Sequence, residues 1–168
     1  MSPNDFPKPK SITGGCLCGS IRYRVEFPDD HDFLQSVNLQ EPGALSSWVF
    51  LCVDAAVDLA ADSERKLQLT YLTSTATLKH FYATPGFQRA FCTNCGSFLY
   101  WREEARDDLG LSVGCVDPEY LSKFGFALAN SAGHNVWCEN EIKGVTDRLI
   151  EKGRGTKWAR SSEERAKL

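Results

Sequence analysis

The sequence predicts an all-β fold, and three observations predict it. Short stretches of strand-forming residues follow one another closely, with Gly and Pro between them. No segment carries a long amphipathic helical period, and no repeat recurs at solenoid spacing. Two cysteine pairs, far apart in the chain, are spaced to grip one metal ion and so to staple such short elements together.

Taken in order, residues 1–10 are rich in proline and polar groups and form a loose lead-in. Ser20 to Phe27 alternates strictly, with Ile21, Tyr23, Val25 and Phe27 on one face and polar groups on the other, which is a half-buried strand. Pro28 to Asp32 breaks it, the stretch to Ala44 has no clear period, and Glu41-Pro42-Gly43 is a turn. Ser47 to Val53 is a continuous apolar run and reads as a buried strand. The Ala- and Asp-rich segment from Asp54 to Arg65 suits a short helical turn.

Lys66 to Leu72 and Leu78 to Ala83 are further strands, and Thr84-Pro85-Gly86 is a turn that delivers the chain to Phe91. Ser97 to Arg102 is an aromatic strand, and Leu109 to Val116 is one more, ended by Asp117-Pro118-Glu119-Tyr120. Phe124 to Trp137 shows no clean period. From Glu139 the chain becomes charged with few large apolar groups, a weak helix or a disordered tail. The implied organisation is a flexible lead-in (1–12), one zinc-binding domain (13–140) and a charged tail (141–168).

The cysteine pairs are Cys16 and Cys18 in Gly14-Gly15-Cys16-Leu17-Cys18-Gly19, and Cys92 and Cys95 in Phe91-Cys92-Thr93-Asn94-Cys95-Gly96-Ser97. Each pair reads as half of a tetrahedral thiolate zinc site. A glycine follows the second cysteine of both pairs, and its freedom to take positive φ lets the turn curl so that backbone N–H groups face the sulfurs. The alternative, two disulfides, would strain a C-x-C ring. An odd count of seven cysteines also leaves one unpaired in any oxidised framework.

Composition sets the remaining bounds. The chain has 168 residues, 42% hydrophobic and 24% charged, which suits a single domain with its own core. It has no apolar run near 18 residues and no leader-like N-terminus, so a cytoplasmic protein with no membrane partner is expected. A net charge of −3 disfavours a nucleic-acid partner; only Trp101-Arg102 and the basic residues of the tail speak for one.

Together, Gly-Gly-Cys-x-Cys-Gly before an alternating strand and Phe-Cys-x-x-Cys-Gly-Ser before an apolar one resemble the glutathione-dependent formaldehyde-activating enzyme family, also called the centromere-protein-V/GFA domain. The resemblance runs from about Thr13 to about Asp117, and on towards Asn140. It implies a β-tent fold of small antiparallel sheets around a structural zinc held by Cys16, Cys18, Cys92 and Cys95. It also implies a carbon–sulfur lyase that handles glutathione, or related thiol adducts of small aldehydes, at a second zinc held by a C-x-C-x-x-C motif.

That motif is absent. The triad would fall just before Gly43 to Trp48, where Val37-Asn38-Leu39-Gln40-Glu41-Pro42 carries no thiol, and Cys52 alone lies between the two pairs. The alternative reading is therefore a non-catalytic, zinc-stapled pseudoenzyme or binding module, with no catalytic residue assigned. Cys52, Cys115 and Cys138 read as core thiols. His31, Glu41 and Asp54 match no metal spacing, His31 reads as solvated, and His80 (on a strand) and His134 (in a loop) read as structural or exposed.

Overall fold

The computed structural model of the chain describes residues 9–27, 36–39, 48–54, 68–105, 108–130, 134–140, 142–143 and 156–160. The fold is predominantly β, as expected, with two sheets and, among the described residues, one α-helix.

The smaller sheet is β1 (Ser11–Gly15), β2 (Arg22–Glu26) and β5 (Gln68–Tyr71), antiparallel in the order β1-β2-β5. The alternation read in the sequence is what builds it: Tyr23 and Val25 are buried, while Arg24 and Glu26 are exposed. Residues 11 and 12, expected in the lead-in, open β1, and Ile12 is fully buried.

The larger sheet adds β3 (Ser36–Leu39), β4 (Trp48–Asp54), β6 (Leu78–Thr84), β7 (Phe87–Cys92), β8 (Phe98–Glu103), β9 (Asp108–Ser112), β10 (His134–Val136) and β11 (Thr156–Lys157). Its order is β11-β10-β3-β4-β9-β8-β7-β6. Pairing is antiparallel from β3 to β6 and parallel where β10 meets β3 and β11.

Buried faces of the two sheets share one core, in which Ile12, Ile21, Tyr23 and Val25 meet Ala90, Leu99, Leu111 and Val116. Each fully buried branched side chain among them contributes about 1.5–3 kcal/mol of transfer free energy. An isolated bridge between Gly14 and Val116 ties β1 to the segment that leaves β9.

Three differences from the sequence reading have local causes. Asp117-Pro118-Glu119 ends a strand, but it also starts α1 (Pro118–Asn130), because proline is pre-organised for a first helical turn and Glu119 complements the helix N-terminus. The Asp117 carbonyl accepts the Tyr120 and Leu121 amides, and its carboxylate accepts from Thr13 of β1 and Arg22 of β2. The Arg22 guanidinium holds the Asp117 carboxyl below the usual aspartate range.

Residues 87–92, read as the run-out of a turn, form β7. Its core-facing positions are Ala90 and Cys92, small groups that give no aromatic alternation. The tail at 156–157 pairs with β10 rather than forming helix, and the Trp137, Cys138 and Glu139 amides donate to the carbonyls of Arg160, Trp158 and Ala159. His134 accordingly lies on a strand, not in a loop. Apart from Asp54, which ends β4, the expected helical turn lies outside the described residues, as do His31 and Glu41.

Candidate metal centre

Cys16 and Cys18 sit in the turn that leaves β1, and Cys92 and Cys95 in the turn between β7 and β8. The two turns are built alike. In the first, the Gly19 amide donates to the Cys16 carbonyl at 3.0 Å; in the second, the Gly96 amide donates to the Cys92 carbonyl at 2.8 Å. Gly19 has φ 76° and Gly96 has φ 73°, the left-handed conformation expected of the glycine after each pair.

The core supplies one wall of each turn, since Cys16 and Cys92 are buried while Cys18 is exposed. Contacts also run between the turns. The Leu17 amide donates to the Ser97 hydroxyl at 3.0 Å, and the Asn94 side-chain amide donates to the Ser20 hydroxyl at 3.1 Å.

All four sulfurs meet: each Sγ lies within 4.8 Å of the other three. Cys16 Sγ is 3.5 Å from Cys18 Sγ, and Cys18 Sγ is 3.8 Å from Cys92 Sγ. A regular tetrahedron of sulfurs around zinc, with Zn–S of about 2.3 Å, has edges of about 3.8 Å. The donor set and its spacing therefore fit a closed four-thiolate site for a metal ion such as zinc.

The surroundings prepare the thiolates unequally. Ser97, through its hydroxyl and its amide, holds the Cys95 thiol down to about 6. Burial raises Cys92, but the amides of Cys95 and Asn94 outweigh it and leave that thiol below its ordinary value. Burial pushes Cys16 up to about 11, although the Ile21 amide, 3.3 Å from its sulfur, opposes the rise. Cys16 thus holds its proton more tightly than Cys92 and Cys95, and a metal that binds its thiolate must displace that proton, which makes loading pH-dependent.

Cys115 and Cys138 stay outside this cluster. The half-buried Cys115 thiol donates to the Phe98 carbonyl at 3.0 Å and Cys138 is buried, both as core thiols should be. Cys52 lies on β4 opposite Gly110 of β9. Among the described residues, Cys16, Cys18, Cys92 and Cys95 form the one group of potential ligands. No described helix is long and apolar enough to cross a membrane.

Sequence reading missed a set of side chains on the face of β6 and β8. His80 Nε2 lies 2.9 Å from the Tyr100 hydroxyl, which also hydrogen-bonds Tyr71 from the smaller sheet. The available signal was three consecutive strands carrying His80, Ala90 and Tyr100, but their register is not readable from one sequence.

No protein-family model matches the chain, and no curated protein is similar to it. Among solved structures, a Rhodobacter sphaeroides protein determined by a structural-genomics programme is similar over 66% of this chain and 94% of its own, at 18% identity and a TM-score of 0.44. So loose a likeness supports neither a fold assignment nor a function.

Proposed function

We propose that this chain is a zinc-binding protein of the glutathione-dependent formaldehyde-activating (centromere-protein-V/GFA) type, with a structural zinc on Cys16, Cys18, Cys92 and Cys95. Its activity is that of a carbon–sulfur lyase acting on glutathione, or related thiol adducts of small aldehydes. The observation that carries the reading is the meeting of four sulfurs from the two motifs on which the resemblance rests.

A closed four-thiolate site offers no coordination position to a substrate, so the zinc supplies cross-linking and charge neutralisation when bound. The chain's own residues do the rest of the positioning. Ser97 and Ser20 bridge the two turns, and the turns in turn join the smaller sheet to β7 and β8.

The test is adduct formation from glutathione and formaldehyde, followed by NMR exchange with zinc-loaded protein. The expected result is a rate above that of buffer, proportional to protein. No rate above buffer at high protein concentration would remove the lyase reading for that substrate.

A second reading, a non-catalytic zinc-stapled module, is favoured by one observation: Cys52 is the single cysteine between Cys18 and Cys92, so the expected second metal has no thiolate triad. It predicts a folded, zinc-loaded protein that is silent in the same assay.

A further inference from the structure

If the chain is a lyase without a second zinc, its proton transfers need another group, and the face of β6 and β8 offers one. We propose that His80 is the catalytic base for thiol addition to the aldehyde, that Tyr100 and Tyr71 position it, and that Arg102 stabilises the alkoxide formed. This inference rests on the lyase reading above.

The arrangement follows from register. His80 of β6, Ala90 of β7 and Tyr100 of β8 stand directly beside one another on one face. Ala90 is buried and carries only a methyl group, so the flanking rings reach across it to a centroid separation of 6.0 Å. Tyr71 reaches the same hydroxyl from the smaller sheet, which fixes Tyr100 from behind.

In the tautomer that donates Nε2–H to the Tyr100 oxygen, the imidazole carries its lone pair on Nδ1. Backing one ring nitrogen so that the other can accept a proton is the arrangement a histidine base requires. His80 is exposed on an edge strand, within reach of a small substrate.

Charge supports the same assignment. Arg102 lies two residues beyond Tyr100 on the same face, and its Nε is buried with no hydrogen-bond partner among the described residues. A buried donor left without an acceptor is costly unless a ligand supplies one. The charged and titratable groups facing His80 are Tyr100 and Arg102 of β8, Glu104 just beyond it, and Tyr71 behind Tyr100. Although the residue is exposed at the surface, partial desolvation of its ring holds the imidazole below its ordinary pKa; Glu104 opposes that and Arg102 adds to it, so the neutral base predominates at pH 7.

The step balances without a co-reactant. Nδ1 takes the thiol proton, the thiolate sulfur bonds to the carbonyl carbon, and the C=O π pair moves to oxygen beside Arg102. The proton on His80 then passes to that alkoxide, giving the S-hydroxyalkyl adduct and restoring the neutral ring. Adduct cleavage is the reverse.

The experiment is the pH profile of glutathione–formaldehyde adduct formation for wild type, His80→Gln and Tyr100→Phe, each checked for zinc content and thermal melting. Wild type should lose rate on acidification through a histidine pKa below the ordinary value of about 6.5. His80→Gln should fall at least tenfold and lose that acid limb while keeping its zinc and melting point. Tyr100→Phe should retain the limb at a shifted position. An active wild type whose rate His80→Gln leaves unchanged would overturn this inference and leave the lyase reading intact. A wild type that does not accelerate the reaction at any pH would overturn both.

Discussion

Cys16→Ser protein is expected to lose its metal and its cooperative fold together. Cys16 is buried where β1 turns toward β2, and its sulfur is one of four that join the smaller sheet to the turn between β7 and β8. Structural zinc binding is worth about 10–16 kcal/mol at neutral pH, against a net stability of about 5–15 kcal/mol for a domain. Losing most of that term leaves too little to hold the sheets together. A circular-dichroism melt read beside zinc content checks the outcome: no sigmoidal transition and no bound zinc are expected. A Cys16→Ser protein that melts cooperatively with its zinc retained would show that the staple lies elsewhere.

Gly14→Ala should come next in severity, by steric overlap rather than by chemistry. A Cβ at Gly14 would stand 2.5 Å from the Tyr23 hydroxyl oxygen and 2.6 Å from its ring carbon, and would also press on the Cys115 carbonyl. Tyr23 is almost wholly buried and donates to that same carbonyl at 3.2 Å, so neither neighbour can yield without parting β1 from the bridge at Val116. Overpacking against a fixed core costs about 1–3 kcal/mol, and losing the tyrosine hydrogen bond adds about 1 kcal/mol. Gly96→Ala is the comparison. It faces open space and carries only the cost of a left-handed alanine, about 1–2 kcal/mol. Chemical denaturation should therefore place Gly14→Ala well below Gly96→Ala, and equal midpoints would contradict the packing described for β1.

The features legible in the sequence are those with local causes. The strand from Arg22 to Glu26 declares itself because each second residue must enter the core. Both cysteine turns could be read because ligand spacing and the glycine after each pair are local demands of a four-thiolate metal site, and the structure brings those two turns to one point, where they could hold a metal ion.

What escaped has non-local causes. β7 buries Ala90, whose small side chain lets the rings of His80 and Tyr100 meet across it, and Cys92, whose sulfur joins the four-cysteine cluster. β10 and β11 are strands of three and two residues, too short for any periodicity, and exist through pairing between distant parts of the chain. α1 was legible in principle, since Asp117, Pro118 and Glu119 are helix-start residues, but Gly125 and the aromatic residues around it blur the period that follows. The His80, Ala90 and Tyr100 row depends on the register of three strands, which one sequence does not specify.

Zinc per folded chain tests the central claim most directly. Protein exchanged into metal-free buffer would be analysed for elements, then treated with a strong chelator while its fold is followed by circular dichroism. The four-thiolate staple predicts one zinc per chain, and loss of the folded signal as that zinc is withdrawn. A chain that remains fully folded with no zinc bound would contradict it.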